Sequence, residues 1–199
     1  MKVGAIVEGL GERKAVRTLV TKTAKLFGKN VFVSGIVECG NWNALKKHNG
    51  LEKYGRLLLA DVSCDMLLYL VDLDDGCPVE EFTSMSERAE SFSKVVKKQV
   101  CIVLMSREYE TWFLQDLDGI RERSPEVEWV NGKAFEDPLE HRDAKGIFES
   151  YLRLAYRPSI DQDRFTKRLD LTLLLTKSRS LRKLAKHLTK LTYEELNLL

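Results

Sequence analysis

The chain is poor in the residues that soft metals, disulfide frameworks and imidazole chemistry need. Its 199 residues include four cysteines and three histidines. Cys39, Cys64, Cys77 and Cys101 lie 25, 13 and 24 residues apart, so there is no Cys-x-x-Cys pair and no support for a zinc ribbon or a thioredoxin-like site. Cys64 and Cys101 stand in or beside apolar strand patterns and read as small core residues. His48, His141 and His187 are far apart with no His-x-x-x-His spacing, which argues against a histidine-based metal site. Long apolar runs are missing too. The longest, Met66 to Val71, is strand length and far short of the roughly 18 residues of a membrane span. The opening Met1-Lys2-Val3-Gly4-Ala5-Ile6-Val7 meets Glu8 too early to form a signal-peptide core. With no low-complexity tract, no linker and no internal repeat, these absences predict a cytoplasmic globular chain with no membrane partner.

What is present fits that class. Hydrophobic residues make up 44% and charged residues 31%, a globular balance. A compact chain of this length buries roughly 70% of its unfolded surface and needs no staple. The net charge of +2 hides a division. Residues 145–190 carry twelve Lys and Arg against four acids, a net +8, while the rest carries twenty against twenty-six, a net −6. An acidic body with a basic C-terminal segment suits a polyanion held near a cation site, although basic helices also simply present a solvated face.

The apolar periodicity alternates between strand and helix. Lys2 to Val7 is a first strand. Val16, Leu19, Val20, Ala24 and Phe27 then mark one helix face, which Gly28 ends. Val31 to Val37 is a second strand, and Trp42 to Ala60 a helix weakened at Asn49-Gly50. Met66 to Val71 is apolar on both faces, as a central parallel strand should be. Ser84 to Gln99 reads as a helix with a Ser84/Glu87 capping box. Val100 to Met105 is a fourth strand, after which Ser106 caps a helix to about Leu117. Trp129 to Ala134 suggests a small hairpin, and helices are expected over 144–156 and 164–191. This predicts a parallel sheet of about four strands flanked by helices, with a Rossmann-like α/β core over 1–120. A mostly helical extension over 121–199 packs on it as one unit.

Ligands of open parallel sheets bind beyond the carboxyl ends of the strands. Acids gather at three such ends: Glu8 after strand one, Asp72, Asp74 and Asp75 after strand three, Glu108 and Glu110 after strand four. Like charges converging on one edge repel, and a divalent cation removes that cost. Carboxylates without His or Cys are hard ligands suited to Mg²⁺ or Mn²⁺. In Asp72-Leu73-Asp74 the i, i+2 spacing puts two carboxylates on one side of an extended segment. Glu8-Gly9-Leu10-Gly11 is not a dinucleotide fingerprint, because the third glycine is replaced by Lys14 and acids there would repel a pyrophosphate.

Val7-Glu8-Gly9-x-x-Glu12 after a first strand, followed by Asp72-x-Asp74 after a third, resembles the Toprim domain of topoisomerases, bacterial primases, small-RNA maturases and OLD-type (overcoming lysogenisation defect) nucleases. Arg107-Glu108-Tyr109-Glu110-Thr111-Trp112-Phe113-Leu114-Gln115-Asp116 is similar to a motif of a small prokaryotic Toprim-like family of unassigned function related to the OLD nucleases. So are Arg142-Asp143-Ala144-Lys145-Gly146, Tyr156-x-Pro158-x-x-Asp161-Gln162 and Ser178-Arg179-Ser180-Leu181-Arg182-Lys183-Leu184. The resemblance implies metal-dependent phosphodiester hydrolysis with one or two Mg²⁺ or Mn²⁺ ions. It implies Glu8 as general acid/base or ligand, Asp72 and Asp74 as ligands, and Glu12 and Glu110 as ligands of a second ion. Lys145 would stabilise charge on a phosphorane-like transition state. No ATPase segment, primase-like cysteine frame or topoisomerase tyrosine is present. The family analogy therefore points to an effector whose ATPase is a separate chain, as in anti-phage defence.

In Lys177 to Lys190, six basic residues and no acid surround an apolar stripe of Leu181, Leu184 and Leu188. Lys177, Arg179, Arg182, Lys183 and Lys186 are expected to hold nucleic-acid phosphates, RNA or DNA, in a salt-sensitive way; Arg179 and Arg182 neutralising the body's acids is the competing reading. Trp112 and Phe113 read as core anchors. A non-catalytic metal-binding or partner-binding module is the alternative function, and self-association is open. A phosphoacceptor receiver is disfavoured, because strand one ends in the single acid Glu8 and strand four leads into Arg107-Glu108.

Overall fold

The computed structural model describes residues 1–73, 76–130 and 142–196. The apolar β-rich runs form four strands: β1 (Lys2–Val7), β2 (Phe32–Glu38), β3 (Met66–Leu73) and β4 (Gln99–Ser106). All pair in parallel, in the order β2-β1-β3-β4. β3 and β4 pair over their whole length, from Met66 opposite Gln99 to Leu73 opposite Ser106. Parallel neighbours need crossovers. These are α1 (Leu10–Leu26) between β1 and β2, α2 (Trp42–Lys46) with α3 (Gly50–Asp61) between β2 and β3, and α4 (Pro78–Val96) between β3 and β4. The fold is thus a Rossmann-like α/β sheet flanked by helices.

Both faces of the sheet are covered, which explains the unbroken apolar character of β3. Met66, Leu68 and Leu70 pack on one face with Val16, Leu19 and Val20 of α1. Leu67, Tyr69 and Val71 pack on the other with Leu51 and Leu58 of α3 and Met85 and Phe92 of α4. Asp72 interrupts this run one residue before the strand ends.

Beyond β4 come α5 (Thr111–Gln115), α6 (Leu117–Glu122), α7 (Ala144–Glu149), α8 (Pro158–Arg168), α9 (Leu171–Lys177), α10 (Arg179–Thr189) and α11 (Tyr193–Leu196). Phe165, Leu174, Leu181 and Leu184 of these helices share a cluster with Val3, Leu68 and Val103 of the strands. Among the described residues, no helix is long and apolar enough to cross a membrane.

Several boundaries differ from the sequence expectation. α4 starts at Pro78, not Ser84, because proline pre-sets the backbone of a first helical residue. Ser84 is therefore inside the helix, where its hydroxyl donates to Glu81 O at 2.8 Å. Ser106 caps no helix: Arg107 adopts φ 67°, and its amide donates to Leu73 O. The helix expected to Leu117 is broken at Asp116, whose Oδ2 accepts from Arg123 and from the Asp170 amide. The helix expected over 164–191 is three. Asp170 accepts from Leu173 N and Ser178 from Leu181 N, each opening a new helix. Trp129 pairs antiparallel with Leu152, not within a local hairpin; residues 131–134 of that expected hairpin lie outside the described residues.

Candidate functional site

The strand order reverses between β1 and β3, because the chain leaves β1 on the β2 side and returns on the other for β3. At such a switch point the two crossovers diverge and open a crevice at the carboxyl ends of the strands. Glu8 follows β1 and Asp72 ends β3 but for one residue. Asp72 is half-buried, and its Oδ1 is sealed from solvent with no hydrogen-bond partner among the described residues. Burial pushes its carboxyl well above the usual range, and Glu8, Glu110, Glu12 and Glu108 push the same way in that order. Carboxylates from three strand ends therefore share one electrostatic neighbourhood.

Local structure fixes each of them. The Gly9 amide donates to Glu12 Oε2 at 2.8 Å, so Glu12 closes the first turn of α1. Glu108 Oε2 accepts the Lys145 amide at 2.7 Å, where α7 opens. Asp143 caps that helix by accepting from Gly146 N at 2.8 Å. Glu110, only 4% exposed, accepts from the Tyr156 hydroxyl at 2.8 Å and from Gln162 Nε2 at 3.5 Å. Burial pushes the Glu110 carboxyl up to about 7, the Tyr156 hydroxyl restrains the rise, and Glu108 and Glu12 add to it. The Tyr156 phenol is itself raised, by burial first and then by Glu110.

Of the residues expected in a metal site, Glu8, Glu12, Asp72 and Glu110 are brought within electrostatic reach of one another. Asp74 lies outside the described residues. Among the described residues, no three His, Cys, Asp or Glu side chains stand together as a ready ligand set. The all-oxygen donors and the orphaned Asp72 Oδ1 do fit a hard cation such as Mg²⁺ or Mn²⁺. Lys145 reaches Glu108 through its backbone amide, and the residue is otherwise exposed.

The expected basic contacts fall beside β4 and α5. Lys177 Nζ donates to Gln115 O at 2.9 Å. Arg182 donates to Leu175 O and Thr176 O, satisfying the last carbonyls of α9. Lys183 Nζ lies 3.2 Å from the centre of the Phe82 ring, and Lys186 Nζ 4.4 Å from that of Tyr193. Arg179 is exposed and makes no hydrogen bond or ion pair among the described residues. Trp112 and Phe113 are core anchors, 2% and 0% exposed, with Trp112 Nε1 donating to Ser178 Oγ.

Tyr156 and Gln162 were not expected as partners of the site. One signal was available. Pro158 marks a helix start, and Gln162 then falls on the same face as the apolar Phe165, which predicts a buried amide in need of a partner.

Fold and site together define an α/β protein of the parallel-sheet class with carboxylates gathered at its switch point. The sequence pattern of the family described as "Domain of unknown function (DUF4276)" matches residues 7–189, and the chain belongs to that family. No curated protein and no solved structure matches it.

Proposed function

We propose that the protein is a Mg²⁺- or Mn²⁺-dependent phosphodiester hydrolase of Toprim type that acts on RNA or DNA in the cytoplasm. In the same proposal it is the effector of a phage-defence system whose ATPase is a separate chain. The observation that carries this reading is Asp72, a carboxylate with an orphaned buried oxygen, set at the switch point among four glutamates. Mutual repulsion of that kind opposes folding and is relieved by a bound cation. Asp72 and Asp74 would hold one ion, and Glu12 and Glu110 a second. The chemistry supplied by such an ion, if bound there, would be activation of a water and stabilisation of a leaving oxygen.

The chain's own groups supply the rest. Glu8 at the end of β1 serves as general acid/base. Burial pushes the Glu110 carboxyl up to about 7, so it would release a proton on taking up an ion. Lys145 stands at the opening of α7 beside Glu108, where its ammonium would offset charge on a phosphate. Lys177, Arg179, Arg182, Lys183 and Lys186 would steer the strand. A second reading, a non-catalytic Toprim-like module, draws on the bonds that Glu12 and Glu110 already make to Gly9 and Tyr156.

Thermal melts with EDTA, Mg²⁺ or Mn²⁺, on wild type and Asp72→Asn, test the metal site. Saturation at 100 times the dissociation constant adds about 2.7 kcal/mol, and each kcal/mol moves Tm by roughly 2–4 °C at this size. Wild type should rise with metal and Asp72→Asn should not, while Asp72→Asn melts higher than wild type in EDTA. No rise in wild type would remove the metal site. A rise without cleavage of single- or double-stranded RNA or DNA, alone or with an ATPase partner, would favour the module.

A further inference from the structure

A cavity of ≈ 600 Å³ lies beside β4, between the start of α4, α5 and the start of α10. That volume falls in the range of small-molecule sites, roughly 300–1,000 Å³. Four cations line it, Lys177, Arg179, Arg182 and Lys183, and no acid does among the described residues.

Two helices begin at this cavity. Pro78 and Val79 of α4, 19 residues long, line it on one side, and Arg179 and Ser180 of α10, 11 residues long, on the other. Opening amides of a helix have no intrahelical acceptor, and the helix dipole puts partial positive charge there. On α10, the Ser178 cap takes the amides of Leu181 and Arg182 and leaves those of Arg179 and Ser180 available. Two helix ends and four cations meet here; the acids of the first turn of α4, Glu80 and Glu81, do not line the cavity. Burial pushes the Lys183 ammonium down to about 8, a penalty that a neighbouring anion reverses.

The lining also asks for more than an anion. Thr111 and Gln115 are 2% and 8% exposed, and Thr111 Oγ1 and Gln115 Oε1 have no hydrogen-bond partner among the described residues. A buried unpaired oxygen is costly unless a ligand pairs it, and the amide oxygen of Gln115 accepts only from an N–H or O–H. Phe82, Tyr193 and Leu104 supply apolar wall, and the indole of Trp112 closes it.

We propose that this cavity binds a nucleoside 5′-phosphate, its phosphate against Arg179, Lys177 and the opening amides of α10, its N–H or O–H donors on Gln115 and Thr111. The same chemistry is offered by a free mononucleotide and by the phosphorylated end of a strand. The proposal stands apart from the metal reading, because binding here uses no carboxylate and is measured in EDTA.

The test is quenching of Trp112 fluorescence in EDTA on addition of AMP, GMP, CMP or UMP, with inorganic phosphate and nucleosides as controls. Trp42 and Trp129 do not line the cavity. At least one nucleotide should quench saturably, tenfold or more tighter than phosphate or the nucleoside. Arg179→Ala, at an exposed side chain with no bonds to lose, should weaken it at least tenfold with an unchanged melt. Gln115→Met should reduce the preference over inorganic phosphate. Displacement by a 5′-phosphorylated oligonucleotide but not its unphosphorylated form assigns the strand end as the source, and displacement by mononucleotide alone assigns the free metabolite. No saturable quenching by any nucleotide or phosphorylated strand, phosphate binding as tightly as nucleotide, or Arg179→Ala binding like wild type would each overturn the proposal.

Discussion

Tyr156 donates its hydroxyl to Glu110 at 2.8 Å across 46 residues of chain. The bond ties the carboxylate that follows β4 to the segment that leads into α8, and both partners are nearly excluded from solvent. A carboxylate so placed has two opposed influences. Burial disfavours its charge, while the phenol's hydrogen bond favours it. Burial wins, and the group titrates near 7 rather than 4.5.

Glu110→Gln is accordingly expected to be stabilising, and only at high pH. Between 4.5 and about 7 the folded protein holds a proton that the unfolded chain has lost, so this group's contribution falls as pH rises through that window. At about 1.4 kcal/mol per pH unit the gap is worth roughly 3 kcal/mol at most. In EDTA, Glu110→Gln should match wild type at pH 4.5 and melt higher at pH 8, because the amide oxygen still accepts from Tyr156. Equal melting points at pH 8 would contradict this. Since Asp72 and Glu110 repel each other, the double variant Asp72→Asn, Glu110→Gln should gain less than the two singles together.

Gly11→Ala tests how closely α8 must approach the start of α1. An added Cβ would lie 2.5 Å from Gln162 Oε1 and 2.9 Å from Pro158 Cβ. The amide can swing away, but the proline ring cannot, so α8 must shift. Overpacking of this kind costs about 1–3 kcal/mol, and Tm should fall accordingly. The Gln162 contact to Glu110 loosens with it. An unchanged melt would show that the two helices have slack.

The strand pattern was legible because β1, β3 and β4 bury both faces, and burial on both faces writes itself as unbroken apolar sequence. The acids at their ends were legible for the complementary reason: Asp72 is the polar residue that such a run does not otherwise tolerate. Helix boundaries were less so. Asp116 and Asp170 read as ordinary helical acids, yet one accepts through Oδ2 from Arg123 and the Asp170 amide and the other opens α9. The bond from the Asp170 amide to Asp116 joins residues 54 apart, which local periodicity cannot register. The basic segment shows the same limit. Its apolar stripe predicted packing correctly, but the bonds of Lys177 and Arg182 to backbone carbonyls depend on where α5 and α9 end.

Ser178 does two jobs that the sequence did not announce. Its hydroxyl caps α10 through Leu181 N and accepts from Trp112 Nε1. Ser178→Ala should cost about 1 kcal/mol for the cap and about 1 kcal/mol more for the shorter of the indole's two hydrogen bonds. Ser180→Ala removes a longer 3.2 Å contact with the same indole and should cost clearly less. Equal losses in the two variants, read by urea denaturation, would mean that Ser178 is not the indole's main partner.

His187 gives the pH profile its opposite slope. It lies on α10 with Nε2 lacking a hydrogen-bond partner among the described residues. Burial first, then Lys183, Lys190 and Lys186, push its imidazole down from 6.5 to about 4. Between those values the unfolded chain binds a proton that the folded protein refuses. Stability from this group is therefore complete above 6.5 and lost as pH falls towards 4, by roughly 3 kcal/mol at most. Glu110 acts over nearly the same window with the opposite sign, since its contribution grows as pH falls. In wild type the two largely cancel, and removing one should expose the other. His187→Leu should become more stable relative to wild type as pH drops from 7 to 4.5, and Glu110→Gln less so. Chemical denaturation of both variants at three pH values in EDTA would show the crossing slopes. Parallel curves would mean that neither group's burial in the folded state governs its titration.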